Sequence, residues 1–251
     1  MSDGFLQLTD VHKSFGGVAA TDHIDLSVTA GEVHAIIGPN GAGKTTLISQ
    51  LAGELRPDGG RIELQGRDIT HLSAAARSHL GVARSFQITS IIHELSVLDN
   101  VLLAVQAHAG HSFRFFGSAR REARLVEPAR ATLAQVGLAD YADHPAGPMS
   151  HGAHRQLEIA MALASQPRLL LLDEPMAGIG PDEGQRMIDI LGALKGQTTM
   201  LLIEHDMDAV FALADRISVL VYGRIIATDT PAAIRSDENV RRAYLGEPVE
   251  C

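Results

Sequence analysis

The stretch that decides the fold covers residues 33–46 and reads VHAIIGPNGAGKTT. Its first five residues, Val33–Ile37, are typical of a strand buried in a parallel sheet. A glycine-rich loop with the eight-residue Walker A spacing follows, and an apolar stretch after Lys44 predicts a helix. A strand, a loop and a helix in this order predict a phosphate site, because the backbone N–H groups turn inward and the helix directs its positive end at an anion.

The polar groups of this loop have distinct predicted roles. Lys44 would reach the β and γ phosphates of a nucleotide, and Thr45 would offer its hydroxyl to a Mg²⁺ ion that bridges them. A structural glycine turn before a helix is the alternative, but it does not account for the full strand, spacing and helix. The predicted nucleotide-binding residues of the loop are Asn40, Gly41, Ala42, Gly43, Lys44, Thr45 and Thr46.

A second apolar run, residues 169–172, ends in the carboxylate pair Asp173 and Glu174. Side chains at the carboxyl ends of parallel strands meet in one crevice, so we expect this pair to face the phosphates. Asp173 would hold Mg²⁺, and Glu174 would act as the general base that polarises the attacking water. A helix cap or a solvated turn is the alternative for such a pair.

Two further runs end in polar side chains in the same manner. His205 follows residues 200–203, and its imidazole is predicted to hydrogen-bond the γ phosphate and the attacking water. Gln87 ends the run 82–86, and its amide oxygen is predicted to ligate Mg²⁺. With Glu174, these two residues complete the predicted catalytic set. The predicted metal ligands are Thr45, Gln87 and Asp173.

The remaining patterns predict an α/β protein with three parts. Residues 6–11 and 23–28 alternate as strands of a small antiparallel sheet, whereas residues 73–165 are alanine-rich and helical in phase. Within that segment we expect one helix around Leu98 and Val105 and another over residues 120–136. Tyr222 and Gly223 predict a hairpin between two late strands.

Composition narrows the class of protein. The 251 residues are 45% hydrophobic, which is typical of a globular chain, and the formal net charge of −9 argues against broad nucleic-acid binding. Cys251 is the one cysteine, so an internal disulfide is excluded and a reducing compartment is the simplest interpretation. The longest aliphatic runs are far shorter than the ~20 residues of a membrane helix, and residues 1–10 lack the pattern of a secretory signal.

In this order, the Walker A loop, Gln87, the Asp173–Glu174 pair and His205 resemble the ATP-binding subunit of ABC transporters over nearly the whole chain. The resemblance implies the ABC ATPase fold: a P-loop NTPase with a mixed, largely parallel core sheet, an antiparallel β subdomain and a helical subdomain. It places the RecA-like core and the β subdomain in residues 1–72 and 166–251. Residues 73–165 would form the helical subdomain of this single ABC ATPase domain.

The family's L-S-G-G-Q signature has a counterpart in residues 149–153, MSHGA, which differ from it at three of five positions. The resemblance implies that Ser150, His151 and Gly152 act on ATP bound to a second ATPase subunit, identical or homologous, in a head-to-tail dimer. Phe15 matches the aromatic residue on which adenine stacks, and Val18 lies beside it. Gly180 stands where the family usually carries an aspartate.

Within the family, the chain is most similar to the ATPases of branched-chain amino acid importers. The segments that carry this similarity are FGGV at 15–18, ARSFQ at 83–87, RQLEIA at 155–160, MAGIGP at 176–181 and AYLG at 243–246. The resemblance implies ATP and Mg²⁺ as cofactors, transmembrane permease subunits and, indirectly, a periplasmic binding protein as partners. It also implies a peripheral location at the cytoplasmic face of the inner membrane and no nucleic-acid partner.

Other functions stay open at this point. ATPases of urea, amide and lipopolysaccharide systems look similar, and a soluble ABC ATPase acting on DNA or the ribosome is a further alternative. A regulatory subunit with little turnover would explain the altered signature, although Glu174 and His205 are present. The segment 88–100 is expected to contact the membrane subunits, and its apolar residues are either a docking surface or ordinary core. These residues are Ile88, Ile91, Ile92 and Leu95.

Overall fold

The computed structural model describes residues 4–85, 91–108, 120, 122–240 and 242. The chain divides into two compact units. The core unit comprises Met1–Arg77, Leu171–Glu174 and Lys195–Cys251, and the helical unit comprises Ser78–Leu170 and Pro175–Leu194. The predicted boundaries near residues 72 and 165 stay a prediction.

In chain order, the strands are β1 (Leu6–Phe15), β2 (Val18–Val28), β3 (Val33–Ile37), β4 (Gly59–Leu64), β5 (Arg67–Asp68), β6 (Val82–Arg84), β7 (Leu169–Asp173), β8 (Thr199–Ile203), β9 (Arg216–Val221) and β10 (Arg224–Asp229). The helices are α1 (Lys44–Ala52), α2 (Ala74–His79), α3 (Val97–His108), α4 (Ala123–Gln135), α5 (His151–Leu163), α6 (Pro181–Leu194), α7 (Met207–Leu213), α8 (Pro231–Ser236) and α9 (Glu238–Val240). Among the described residues, none of these helices has the length and apolar character that crossing a membrane requires.

The main sheet of the core unit forms from the apolar runs that the sequence pattern predicted. β10, β9, β3, β8 and β7 follow one another in this sheet, with β3 parallel to both β8 and β9 and β10 antiparallel to β9. All residues of β3, β7 and β8 are buried, as expected for central strands. In the register of β3 and β8, Ile36 lies opposite Ile203. The loops that follow these two strands therefore leave the same edge of the sheet.

The core unit also holds the small antiparallel sheet. Its order is β2-β1-β4-β5, and β1 pairs with both β2 and β4 in antiparallel register. Register shifts interrupt the β1–β2 ladder between Leu8 and Ser14. β1 and β2 are longer than the predicted strands, and they meet at the turn between Phe15 and Val18.

The helical unit packs α3 against α4 and α5. The apolar stripe of α3 is buried, as its spacing predicted; its members are Val97, Leu98, Val101, Leu102 and Val105. α4 begins at Ala123 rather than at the predicted residue 120. Arg120 instead extends its guanidinium to the Asp99 carboxylate, with Nε at 2.7 Å from Oδ1. β6 lies against the start of β7, where the Arg168 and Leu169 amides donate to the Gly81 carbonyl.

Arg77 is a buried side chain that the sequence pattern did not single out. Its guanidinium donates to four carbonyl oxygens, those of Gln50, Leu51, Thr70 and Leu72, at 2.6–3.2 Å. Two of these carbonyls lie in the last turn of α1, where the helix dipole is negative. Burial lowers the pKa of Arg77 to about 10, and the nearby Asp68 opposes this shift.

We expect Arg77→Met to lower the free energy of unfolding by about 3 kcal/mol, because it leaves several buried carbonyls without a donor. Denaturant titration of the purified chain measures this loss. Arg67→Met, at an exposed position of β5, is the matched control and should change stability by less than about 0.5 kcal/mol. An equal loss of unfolding free energy in the two variants would show that the four carbonyl contacts of Arg77 do not stabilise the fold.

Candidate functional site

The Walker A loop connects β3 to α1 within the core unit. Gly43 has φ of 106°, and a Cβ atom there would lie 2.0 Å from the Ala20 carbonyl oxygen. A Cβ atom at Gly38 would lie 2.1 Å from the carbonyl oxygen of Leu220. These two positions therefore require glycine, because neighbouring backbone occupies the space of any side chain. The residues of the loop that were predicted to bind nucleotide lie between β3 and the first turn of α1: Asn40, Gly41, Ala42, Gly43, Lys44, Thr45 and Thr46.

Lys44 is a buried cation at the start of α1. Its Nζ atom donates to the carbonyl oxygens of Gly38, at 2.6 Å, and Pro39, at 3.0 Å. Burial lowers the pKa of Lys44, whereas the carboxylates of Glu174 and Asp173 raise it by a smaller amount. The ammonium group is therefore bound to backbone carbonyls of the Walker A loop, and the carboxylates of Asp173 and Glu174 interact with it electrostatically. An anion brought to this loop would add favourable charge around Lys44.

Asp173 and Glu174 end β7 inside the core unit. Asp173 is buried, and the Glu174 amide donates to the Ile203 carbonyl oxygen at 2.9 Å. Glu174 has φ of 49°, a left-handed backbone conformation that is unfavourable for a glutamate and occurs often at functional sites. The helix-cap alternative is wrong for this pair, because the next helix, α6, begins only at Pro181.

His205 lies beside Glu174, as the strand ends predicted. Its Nδ1 atom is 3.7 Å from Glu174 Oε1, and its side chain is largely exposed. Glu204, fully buried, accepts hydrogen bonds from the backbone amides of His205, at 3.0 Å, and Asp206, at 3.2 Å. Glu204 therefore sets the backbone from which His205 projects. Its position at the end of β8 was a signal that our sequence interpretation did not use.

Phe15 and Val18 flank the turn between β1 and β2. Their exposed fractions are 53% and 70%, so neither side chain belongs to the core. The Lys13 ammonium lies 5.5 Å from the centroid of the Phe15 ring and donates to Asp58 Oδ1. An exposed aromatic face of this kind is suited to stacking against a flat ring.

The signature residues begin α5 in the helical unit. Ser150 is the N-cap: its hydroxyl accepts from the Ala153 amide at 3.2 Å and donates to Glu183 Oε1 at 2.7 Å. A Cβ atom at Gly152 would meet the Glu183 carboxylate at 2.3 Å. The His151 ring lies against Gly178, where a Cβ atom would come within 2.9 Å of His151 Nε2. His151 stands where the L-S-G-G-Q signature has its first glycine. Its ring fits because Gly178, which it faces, has no side chain.

Several of the predicted site and docking residues follow β6 in the chain. Gln87 and Ile88 lie outside the described residues, so their predicted roles stay predictions. Ile91 is only 6% exposed and belongs to the core, whereas Ile92 is 42% exposed. The interpretation of Ile91 as part of a docking surface is therefore wrong, because its side chain is used in packing. For Ile92, which is exposed, a role in a docking surface stays a prediction.

Comparison with known families identifies the class of protein. A model described as ABC transporter matches residues 21–177, and one described as branched-chain amino acid ATP-binding cassette transporter matches residues 224–250. The high-affinity branched-chain amino acid transport ATP-binding protein LivG of Salmonella typhimurium is 36% identical over 255 residues, which span 98% of this chain and 100% of the relative. The corresponding protein BraF of Pseudomonas aeruginosa is 37% identical over 254 residues, with the same coverage.

Solved structures agree with these relatives. A nucleotide-free ATP-binding cassette from an ABC transporter has a TM-score of 0.85 and 32% identity, and the match covers 97% of this chain and 99% of that one. A cassette in its ADP conformation gives a TM-score of 0.86 and 33% identity with the same coverage. The chain belongs to the ABC transporter family, as an ATP-binding cassette.

The expectations of the ABC ATPase fold and of the branched-chain branch are thereby confirmed. The protein is an ATPase of this class, and ATP is its nucleotide.

Proposed function

We propose that this ATPase powers the import of branched-chain amino acids. The observation that carries the substrate class is the match of residues 224–250 to the branched-chain cassette model. Full-length similarity to LivG and BraF supports the same class. Urea, amide and lipopolysaccharide systems are the competing substrate classes.

Glu174 is the proposed general base. Its carboxylate lies at the edge of the sheet where the Walker A loop begins, within the field of Lys44. A water held by Glu174 would attack the γ phosphorus, the bond to the β–γ bridging oxygen would break, and Glu174 would accept the proton. ADP then leaves with the bridging oxygen.

Lys44 is the proposed phosphate-contacting cation, and His205 is a proposed hydrogen-bond donor to the phosphate. Lys44 would exchange its contacts with the Gly38 and Pro39 carbonyls for the β and γ phosphate oxygens. The His205 ring, whose Nδ1 atom lies 3.7 Å from Glu174 Oε1, would hydrogen-bond the γ phosphate and the attacking water. Phe15 and Val18 would cover the adenine ring.

The donor set fits Mg²⁺, because a hydroxyl at Thr45 and a buried carboxylate at Asp173 are hard oxygen ligands within the core unit. We propose Thr45, Asp173 and Gln87 as the residues that hold it. When bound, the ion would neutralise charge on the β and γ phosphates.

The proposed transporter is assembled from several subunits. Ser150, His151 and Gly152 would contact ATP on a second ATPase subunit, identical or homologous, because Ser150 and the start of α5 offer a hydroxyl and backbone N–H groups. Ile92, which is exposed, would contact transmembrane permease subunits. The proposed location of the chain is peripheral, at the cytoplasmic face of the inner membrane. A periplasmic binding protein would deliver the cargo to the permease.

Uptake of labelled leucine tests this function. In cells whose copy of this subunit has been deleted, the wild-type chain is expected to restore leucine uptake. Glu174→Gln should not restore it, because the base is lost. Unlabelled isoleucine and valine should compete with leucine, whereas ribose and urea should not.

Glu127→Gln, an exposed glutamate of α4, is the matched control and should restore uptake fully. If the wild-type chain restored urea uptake and not leucine uptake, the substrate would be urea and not branched-chain amino acids. Leucine uptake that is unchanged by the deletion would contradict the proposal.

A further inference from the structure

Three potential metal ligands meet on the antiparallel sheet of the core unit, among β1 and β2. They are Asp10, His12 and His23, and one ligand atom from each lies within 4.8 Å of the others. The two imidazole rings are 4.9 Å apart between centroids. None of the three residues takes part in the proposed nucleotide chemistry, so their proximity needs a separate explanation.

The backbone is bent at two of these residues. Asp10 has φ of 56° and His23 has φ of 52°, both in the left-handed region that disfavours residues other than glycine. The β1–β2 ladder shifts register around Asp10, and the Asp10 amide donates to Asp25 Oδ1 at 2.8 Å. Unfavourable backbone conformations persist where the surroundings enforce them, and they occur often at ligand sites.

His12 is oriented as a ligand. Its Nδ1 atom lies 2.9 Å from the Asp10 carbonyl oxygen, which can only accept, so Nδ1 carries the proton. In the neutral tautomer with this proton, Nε2 carries the lone pair that a metal ion would use. Metal-binding histidines usually have this arrangement, in which the second ring nitrogen donates to a carbonyl or carboxylate. The His12 ring occupies the space of a Gly59 side chain, since a Cβ atom there would meet Nε2 at 2.6 Å.

His23 and Asp10 supply the other two ligands. Nδ1 of His23 donates to Oδ1 of Asp10, and a metal ion bound by these two atoms would take the place of the shared proton. An ion pair between His23 and Asp10 accounts for this contact, and the metal site rests on the third ligand, His12, within 4.8 Å of both. Two imidazoles and one carboxylate suit borderline divalent ions rather than Mg²⁺, which prefers oxygen ligands.

We propose that Asp10, His12 and His23 bind a divalent transition-metal ion of the Zn²⁺ class, with the remaining coordination positions open to water. The site joins β1 to β2 below the turn that carries Phe15 and Val18. It does not depend on the proposed transport function.

Calorimetric titration of the metal-free full-length chain with Zn²⁺ tests the site, in the absence of nucleotide. We expect one ion per chain at this site. Asp10→Asn and His23→Asn should each weaken binding at least tenfold, and asparagine is chosen because it tolerates the left-handed backbone. Gly59→Ala keeps all three ligands but displaces the His12 ring, so it should also weaken binding.

His93→Asn is the matched control, because the His93 ring also lies close to another histidine ring, that of His154, but in the helical unit. It should bind Zn²⁺ as the wild type does. Circular dichroism of each variant checks that the fold is kept. Equal Zn²⁺ affinity in the wild type and all three cluster variants, or the absence of binding to the wild type, would overturn the proposal.

Discussion

Lys44→Ala is expected to weaken ATP binding by about 100-fold or more, which is the largest effect on affinity that we predict. Lys44 is the buried cation of the Walker A loop, and its two present acceptors are backbone carbonyls. Charge-assisted hydrogen bonds to phosphate oxygens are each worth about 1.5–3 kcal/mol, so the loss of two of them accounts for the estimate. Titration with a fluorescent ATP analogue measures the change.

Lys195→Ala is the matched control for this prediction. Lys195 pairs with Asp215 at 2.7 Å and is partly exposed, so its loss should leave ATP affinity unchanged. An affinity for ATP that is the same in Lys44→Ala and in the wild type would show that the loop does not hold the phosphates through this residue.

Glu174→Gln is expected to lower kcat for ATP hydrolysis by about 10²–10³-fold, because glutamine cannot accept the proton of the attacking water. The amide keeps nearly the same shape, so ATP affinity should stay close to that of the wild type. The readout is phosphate release under saturating ATP and Mg²⁺. Loss of turnover with retained binding would assign Glu174 to the chemical step.

Glu127→Gln is the matched control. Glu127 is exposed on α4, so this variant should hydrolyse ATP at the wild-type rate. Wild-type turnover in Glu174→Gln would remove Glu174 from the role of base. In that case His205, 3.7 Å away, would be the next group to substitute.

Sequence periodicity predicted the central elements well, because they are long apolar runs with one structural solution. The strand β3, the loop after it and α1 lie where the Walker A pattern places them. β7 and β8 were also predicted to within one residue, since central strands are buried on both faces. The meeting of Asp173, Glu174 and His205 followed from the rule that parallel strands end at one edge.

The start of α4 and the burial of Ile91 could not be predicted in this way. Arg120 continues a helical pattern, but its guanidinium is bound to Asp99 and Ser96, so the helix begins three residues later. An isoleucine such as Ile91 can belong equally to an apolar docking surface or to the core. Only packing distinguishes the two, and local sequence does not report packing.

The buried polar contacts also depend on tertiary structure. Arg77 reaches carbonyls as far as 27 residues away in the chain, and nothing in its local pattern indicates this. Glu204 could have been noticed at the end of β8, but its bonds to the His205 and Asp206 amides require a turn that the pattern does not specify. The left-handed backbone at Asp10 and His23 falls where the β1–β2 ladder shifts register, and local sequence does not specify that shift.

The mass of Glu174→Gln in solution, with and without ATP and Mg²⁺, tests the central claim that ATP joins two ATPase subunits. This variant should hold ATP unhydrolysed, and its mass is predicted to double from that of the 26.7 kDa chain when both ligands are present. A persistent monomer that still binds ATP would contradict the pairing of identical chains.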